Sequence, residues 1–218
     1  MDILTIPKYI QWYITNDCNS NCIHCNVIES SLVKHRKKLT LKQNHKVIDN
    51  IDYPNSVIEI LGGEPLCYNG LNEILNHIKQ NKFRAYLVSN GVLLSPCAKT
   101  RQILYYCDEI SISVDGIIAE SYKMMRQTNN FNTVIKNLTY CVDKLGADKL
   151  TVIYVVAKPT MNEPEKIIDF FRSLGVKKIT FNTLQKTLRS DSFSKELYID
   201  LEEHLKFFEK LALATHKY

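Results

Sequence analysis

The sequence predicts an α/β fold, namely a partial (β/α)6 barrel resembling an incomplete TIM barrel with parallel strands. Six short segments are rich in Ile, Val, Tyr or Phe, and helical patterns separate them. Strand and helix therefore alternate six times, which favours a parallel sheet with crossover helices over separate α and β domains. Nearly continuous apolar runs such as VIEIL and VIYVV are typical of strands covered on both faces. We expect a single domain over 1–218, with its core at about 11–184 and a C-terminal helix at about 195–214.

The individual elements follow from these patterns in chain order. The predicted strands are Gln11–Asn16, Ser56–Leu61, Arg84–Ser89, Glu109–Val114, Leu150–Ala157 and Lys178–Thr183. Apolar residues at helical spacing predict helices over Leu41–Ile51, Leu71–Asn81, Pro96–Cys107, Phe131–Leu145 and Glu163–Leu174. Thr40 and Ser95 are candidate N-caps, and Pro96 suits a first helical turn.

Composition excludes several classes of protein. The 218 residues carry 28 basic and 23 acidic side chains, a net charge of +5 that is too mixed to indicate nucleic-acid binding. Neither a signal peptide nor a run of about 18 apolar residues is present, so we expect a cytoplasmic protein without membrane partners. Seven cysteines, an odd number in a chain of this length, argue against a disulfide framework.

The unusual residues follow the predicted strands, where the chemistry of parallel barrels collects. A cysteine motif follows the first strand and Gly62-Gly63-Glu64-Pro65 the second; later strand ends carry Ser89-Asn90-Gly91, Ser113-Val-Asp115-Gly116 and Lys158–Asn162. Gly62 and Gly63 permit close backbone approach to a ligand, although each of these glycine-containing segments also suits a plain turn. Their shared edge of the sheet predicts an active site.

The cysteine motif is C-x3-C-x2-C, formed by Cys18, Cys22 and Cys25. Three thiolates on one loop can hold three irons of a cubane cluster and leave the fourth iron without a protein ligand. The alternative is structural zinc, which needs four ligands and would recruit His24 or His35.

The other cysteines are expected to be buried non-ligands. Cys97, Cys107 and Cys141 lie on predicted helices and should converge neither with one another nor with the cluster. Cys67 follows Pro65 closely and is the one that could face the site.

The basic run Lys34–Lys38 lies in the loop after the cysteine motif. It suits either a solvated loop or docking of an acidic electron donor or substrate.

Together the motifs resemble the radical S-adenosylmethionine (SAM) superfamily, whose hallmark is C-x3-C-x2-C after the first strand and GGEP after the second. The resemblance implies a [4Fe–4S] cluster bound by the three cysteines, with SAM on its open iron. It further implies that His24 packs near adenine, that Gly62, Gly63, Glu64 and Pro65 bind the methionyl amino group, and that Ser89 and Asn90 lie near SAM.

A second part of the resemblance concerns the fourth strand. Ser113-x-Asp115-Gly116, followed by Arg126, looks like the peptide- and protein-modifying branch, in which the Ser and Arg approach the SAM carboxylate and ribose. That branch commonly continues into a cysteine-rich extension with auxiliary clusters. No cysteine follows Cys141, so we expect no auxiliary-cluster domain in this sequence.

The function implied by the resemblance is reductive cleavage of SAM to a 5′-deoxyadenosyl radical that abstracts hydrogen from a substrate. A reduced flavodoxin or ferredoxin would be the electron donor. The fourth-strand motif favours a peptide or protein side chain as substrate; a small metabolite and a glycyl-radical activating role are alternatives. A non-enzyme alternative is an iron–sulfur electron-transfer or scaffold protein. We also expect Gly63→Val to weaken SAM binding and to retain the cluster, because the iron ligands lie on another loop.

Overall fold

The computed structural model describes residues 8–25, 27, 38–53 and 55–217, and a six-stranded parallel sheet forms its centre. Each strand pairs in parallel with the next along the chain, so the order is β1 to β6. The predicted partial (β/α)6 barrel is therefore confirmed. The strands are β1 (Tyr9–Thr15), β2 (Val57–Gly62), β3 (Arg84–Ser89), β4 (Glu109–Ser113), β5 (Leu150–Val156) and β6 (Lys178–Thr183).

Helices connect the successive strands, and further helices follow β6. They are α1 (Leu41–Asp49), α2 (Leu71–Gln80), α3 (Ala98–Tyr106), α4 (Ala119–Arg126), α5 (Phe131–Leu145), α6 (Pro164–Ser173), α7 (Leu188–Asp191), α8 (Ser194–Leu197) and α9 (Leu201–Thr215). Short 3₁₀ helices cover Pro65–Cys67 and Ala147–Lys149. The predicted cap of α1 is confirmed, because Thr40 and Gln43 form a reciprocal capping box.

The strands are covered fully on one face only, which corrects the expectation of two covered faces. Burial alternates along β2 to β5. Ile58, Ile60 and Leu87 are buried in the main hydrophobic core, whereas Glu59 is only half-buried. The inner face of an incomplete barrel stays open, and this face forms the floor of the cavity described below.

Three helix predictions need correction. The third predicted helix begins at Ala98, not Pro96, and its N-cap is Cys97 rather than Ser95. The predicted helix at about 195–214 is interrupted, because Asp200 accepts a hydrogen bond from the Glu203 N–H at 2.8 Å and starts α9 anew. Helix α4 was not predicted, because its eight residues are too few to show an apolar stripe. No helix in the described ranges is long and apolar enough to cross a membrane.

Candidate cofactor site

A cavity of about 450 Å³ lies at the carboxyl ends of the strands, within the size range of small-molecule sites. Inner-face side chains of the sheet form its floor, among them Leu61, Val88 and Ile153. The cysteine loop after β1 forms one wall, and residues at and beyond the end of β6 form the opposite wall. The edge of the sheet that the sequence indicated therefore does carry a cavity.

Cys18, Cys22 and Cys25 all line this cavity. Burial raises the pKa of Cys18 to about 11, although the Ser20 N–H bond to its sulfur (3.4 Å) acts in the opposite direction. Burial also raises the pKa of Cys22, and the nearby Arg126 opposes that rise. Such thiols need a metal to be held as thiolates, since metal ligation removes the proton.

The donor set fits an iron–sulfur cluster. Within the described ranges, no three His, Cys, Asp or Glu side chains lie close enough together to bind one metal ion jointly. A cubane does not need that arrangement, because each of its cysteines binds a different iron. Of the two histidines considered for zinc, His24 lies 3.4 Å from Asp115 Oδ2, and His35 lies outside the described residues.

The Gly62–Gly63 turn is built directly against the cysteine loop. The Gly63 N–H donates to Thr15 O and the Glu64 N–H donates to Asp17 O, both at 2.7 Å. A Cβ at Gly63 would lie 2.3 Å from Asp17 O, and one at Gly62 would lie 2.2 Å from Thr15 O. The reason given for expecting Gly63→Val to retain the cluster is therefore wrong: the two loops are not independent, because the added side chain would collide with backbone that leads into Cys18.

Glu64 is a buried carboxylate that ties the second strand end to the third. Its oxygens accept hydrogen bonds from the Leu66 N–H (3.1 Å), the Ser89 hydroxyl (2.9 Å) and the Asn90 N–H (2.7 Å). All of these donors are neutral. Burial raises the pKa of Glu64 despite them. The side chain also lines the cavity, so its charge faces any ligand there.

Asn90 ties the third strand end to the cysteine loop. Its side-chain amide donates to Asn19 Oδ1 at 2.7 Å and to Ser20 Oγ at 3.3 Å, and lies 3.9 Å from Cys18 Sγ. Its side-chain oxygen, Oδ1, accepts a hydrogen bond from the Val92 N–H at 3.0 Å. Asn90 therefore orders the loop that carries the first cysteine.

Asp115 organises the other side of the cysteine loop. Its Oδ1 accepts the Val155 N–H at 2.9 Å, and its Oδ2 lies 2.6 Å from Arg126 Nε. Arg126 Nη1 in turn donates to Cys22 Sγ at 3.6 Å. Burial disfavours the charge of Arg126, but Asp115 and Cys22 outweigh it and raise its pKa.

The structure brings most of the predicted site residues to one cavity. Those that line it are Cys18, Cys22, His24, Cys25, Gly62, Gly63, Glu64, Ser89, Asn90, Ser113 and Arg126. Pro65 and Asp115 are absent from the lining: Pro65 begins a 3₁₀ helix, and Asp115 lies fully buried behind Arg126. Cofactor contact by any of these residues stays a prediction.

The wall at and beyond the end of β6 was not predicted; it is formed by Asn182, Thr183, Leu184, Gln185 and Thr187. This wall could have been predicted from the sequence, because the carboxyl end of every strand in a parallel barrel contributes to the same face. It was overlooked because this segment contains no glycine or cysteine motif.

The remaining cysteines lie away from the cavity lining. Cys67 is half-buried and does not line the cavity, and burial raises the pKa of its thiol. Cys97 is exposed, whereas Cys107 and Cys141 are buried. Burial raises the pKa of the Cys107 and Cys141 thiols, and the expectation that neither approaches the cluster stays a prediction.

The basic run after the cysteine loop is described only at its last residue. Lys38 forms an ion pair with Asp17, next to Cys18. The rest of the run, 34–37, lies outside the described residues.

A parallel α/β barrel with three thiols, a Gly-Gly turn and a buried carboxylate around one cavity is the arrangement of a cofactor-binding site. The family model of the radical SAM superfamily matches residues 12–171. The chain belongs to this superfamily, in which SAM and a [4Fe–4S] cluster are the cofactors.

Curated relatives include a probable GTP 3′,8-cyclase of Methanococcus maripaludis strain C7, 28% identical over 164 residues, which cover 74% of this chain and 54% of the relative. An AdoMet-dependent heme synthase of Methanosarcina barkeri is 25% identical over 206 residues, which cover 94% of this chain and 58% of the relative. The chain thus spans just over half the length of these relatives.

Among solved structures, Streptococcus suis SuiB bound to SAM superimposes with a TM-score of 0.73 at 15% identity, covering 95% of this chain and 47% of SuiB. SuiB bound to the precursor peptide SuiA matches with a TM-score of 0.69 at 18% identity, covering 96% of this chain and 46% of SuiB. At these identities the likeness supports the fold alone.

Proposed function

We propose that this protein binds a [4Fe–4S] cluster through Cys18, Cys22 and Cys25 and uses SAM to abstract hydrogen from a substrate carbon. The observation that carries the proposal is the joint placement of the three thiols and the Gly62–Glu64 turn around one cavity, linked by backbone hydrogen bonds. When bound and reduced by a flavodoxin- or ferredoxin-like donor, the cofactors supply reductive cleavage of SAM to methionine and a 5′-deoxyadenosyl radical. A protein that only transfers electrons through the cluster would not need the Gly62–Glu64 turn, because it does not bind SAM.

The residues of the chain would orient SAM. Glu64 has only neutral donors as hydrogen-bond partners, so its carboxylate suits the cationic methionyl amino group. Gly62 and Gly63 would let the ligand approach the backbone closely. Ser113 and Arg126 line the cavity and are our candidates for the SAM carboxylate and ribose, with His24 near the adenine.

For the substrate, we favour a small metabolite. The names of the two curated relatives describe a reaction of GTP and the synthesis of heme, both small molecules. The wall at and beyond the end of β6 supports this choice, because neutral polar side chains such as Asn182 and Gln185 line the cavity there and can recognise functional groups of a small ligand.

A peptide or protein side chain is the second candidate. It is favoured by the likeness to SuiB, which has a structure with a precursor peptide bound, and by the Ser113-x-Asp115-Gly116 motif. The motif is weak support, because Asp115 is occupied with Arg126 and Val155 rather than facing the cavity.

Anaerobic reconstitution tests the cofactor chemistry. The wild type should bind about four irons and four sulfides and, after reduction with dithionite, should form 5′-deoxyadenosine from SAM. Ala at Cys18, Cys22 or Cys25 should abolish both properties. Cys97→Ala is the matched control, because Cys97 is exposed and away from the cavity. Stoichiometric zinc in protein purified without oxygen would contradict the proposal.

Deuterium transfer tests the substrate class. Extracts of cells grown in deuterated medium are separated by ultrafiltration into small-molecule and peptide fractions. Each fraction is incubated with the reduced enzyme and SAM, and deuterium in 5′-deoxyadenosine is measured by mass spectrometry. Enrichment with the small-molecule fraction supports a metabolite, and enrichment with the peptide fraction alone supports the second candidate.

A further inference from the structure

Arg126 makes a contact that SAM binding does not require. Its Nη1 donates a hydrogen bond to the sulfur of Cys22 at 3.6 Å. Its Nε lies 2.6 Å from Asp115 Oδ2, and the side chains of Arg126 and Asp115 are only 9% and 0% exposed. A buried guanidinium is thus held between a carboxylate and a cluster-ligand sulfur.

The chain fixes both ends of this contact. On the sulfur side, the Ile23 N–H donates to Met125 O at 3.0 Å, so the residue after Cys22 is bonded to the residue before Arg126. Ile23 and Met125 also pack together in a small hydrophobic cluster. On the carboxylate side, Asp115 is held by the Val155 N–H. The donor and the acceptor therefore have little freedom to separate.

A donor fixed in this way affects the electronics of a ligand thiolate. Hydrogen bonds to cluster sulfurs and nearby charge are among the factors that set the reduction potential of iron–sulfur clusters. Reduction adds one electron, so a buried cation against Cys22 stabilises the reduced state more than the oxidised state. The low dielectric of the interior strengthens that effect, and the charge of Asp115 partly offsets it.

We propose that Arg126 is a positioning residue that raises the reduction potential of the cluster through its hydrogen bond to Cys22, with Asp115 orienting the guanidinium. The inference rests on the proposed function, because it requires that Cys22 is a cluster ligand. It gives Arg126 a role that is separable from contact with the SAM carboxylate.

The test is a redox titration of the reconstituted full chain without SAM. Dithionite supplies one electron per cluster in the presence of mediators, and the reduced cluster is followed by electron paramagnetic resonance. Arg126→Gln removes the charge and should shift the potential to a more negative value. Arg126→Lys keeps the charge but loses the planar fork, so a smaller shift in the same direction is expected. Lys123→Gln removes an exposed charge from the same helix and should leave the potential unchanged.

SAM affinity, measured on the same samples, separates the two roles. If Arg126 contacts only SAM, Arg126→Gln weakens SAM binding and the SAM-free potential stays at the wild-type value, which overturns the inference. If Arg126→Gln does not assemble a cluster, Arg126→Lys decides: an unchanged potential overturns the inference and a negative shift supports it. Failure of the proposed function looks different, because the wild type itself would then take up no cluster.

Discussion

Two turns on opposite sides of the cysteine loop hold it in different ways. The Glu64 turn (62–64) is bonded to the loop through backbone groups, with the Gly63 N–H on Thr15 O and the Glu64 N–H on Asp17 O. The Asp115 turn (113–116) is connected to the loop through side chains, with Asp115 close to His24 and, by way of Arg126, to Cys22. The first attachment depends on the absence of side chains, and the second depends on charge.

The two buried carboxylates differ for the same reason. Glu64 accepts hydrogen bonds only from neutral donors and lines the cavity, so its negative charge remains available to a cationic ligand group. Asp115 is paired with Arg126 and lies behind the cavity lining. Two acidic residues in the turns after β2 and β4 are therefore suited to ligand binding in one case and to internal support in the other.

The largest effect on stability is expected when the charge-based attachment is broken. Asp115→Asn keeps an acceptor for the Val155 N–H but leaves Arg126 as an uncompensated buried charge. The free energy of unfolding should fall by about 3–5 kcal/mol. Denaturant unfolding of the reduced apoprotein measures this loss.

Two controls accompany that measurement. Asp115→Asn combined with Arg126→Met removes both charges and should recover part of the loss. Asp148→Asn breaks the ion pair between Asp148 and Lys177, whose two side chains are 81% and 63% exposed, respectively. The loss of unfolding free energy should be much smaller, because solvent screens that pair. Equal losses in the two single variants would contradict the comparison.

Gly63→Val breaks the backbone attachment. Its Cβ would lie 2.3 Å from Asp17 O, so the cysteine loop must shift. The overpacking should cost about 1–3 kcal/mol, and both iron content and SAM binding should fall. Gly146→Val is the contrasting control: Gly146 has a positive φ, which Gly63 does not, but a Cβ at Gly146 meets nothing within 4 Å. Its loss of stability would come from backbone strain alone, and its iron content should stay at the wild-type value. A Gly63→Val protein with full iron content would show that the two loops are independent.

Glu64→Gln tests whether the charge faces the ligand. The amide can no longer accept on both sides, so the variant should lose about 1–3 kcal/mol of unfolding free energy. SAM affinity should fall by roughly tenfold or more with iron content retained. Glu59→Gln makes the same substitution on the inner face of β2, where Glu59 binds Gln11 rather than lining the cavity. Unchanged SAM affinity in Glu64→Gln would remove the proposed ligand contact.

The smallest effect concerns pH. Burial raises the pKa of Glu64 above its ordinary value of 4.5, so the folded apoprotein holds this proton more tightly than the unfolded chain does. The stability that Glu64 contributes is fully present below about pH 4.5 and is lost as pH rises through the raised pKa. The difference in unfolding free energy between wild type and Glu64→Gln should follow that course. A difference that does not vary with pH would contradict the assignment.

The sequence alone determined those features that depend on local spacing. The three cysteines within eight residues, the alternation of strand and helix, and the capping box at Thr40 are all set by neighbours a few positions apart. Parallel topology then brought the strand ends to one edge, so most candidate residues could be identified without coordinates. The short helix α4 was not predicted, because its eight residues do not establish a helical period of apolar side chains.

Tertiary structure decided what those residues contact. Asp115 meets Val155 across 40 positions and Arg126 meets Cys22 across 104, and no local pattern encodes such pairs. The same holds for Gly63, whose importance lies in the carbonyl of Asp17 beside it. Spacing fixes which side chains share a loop or a strand end, but distances and burial after packing determine whether a carboxylate supports an arginine or faces a ligand.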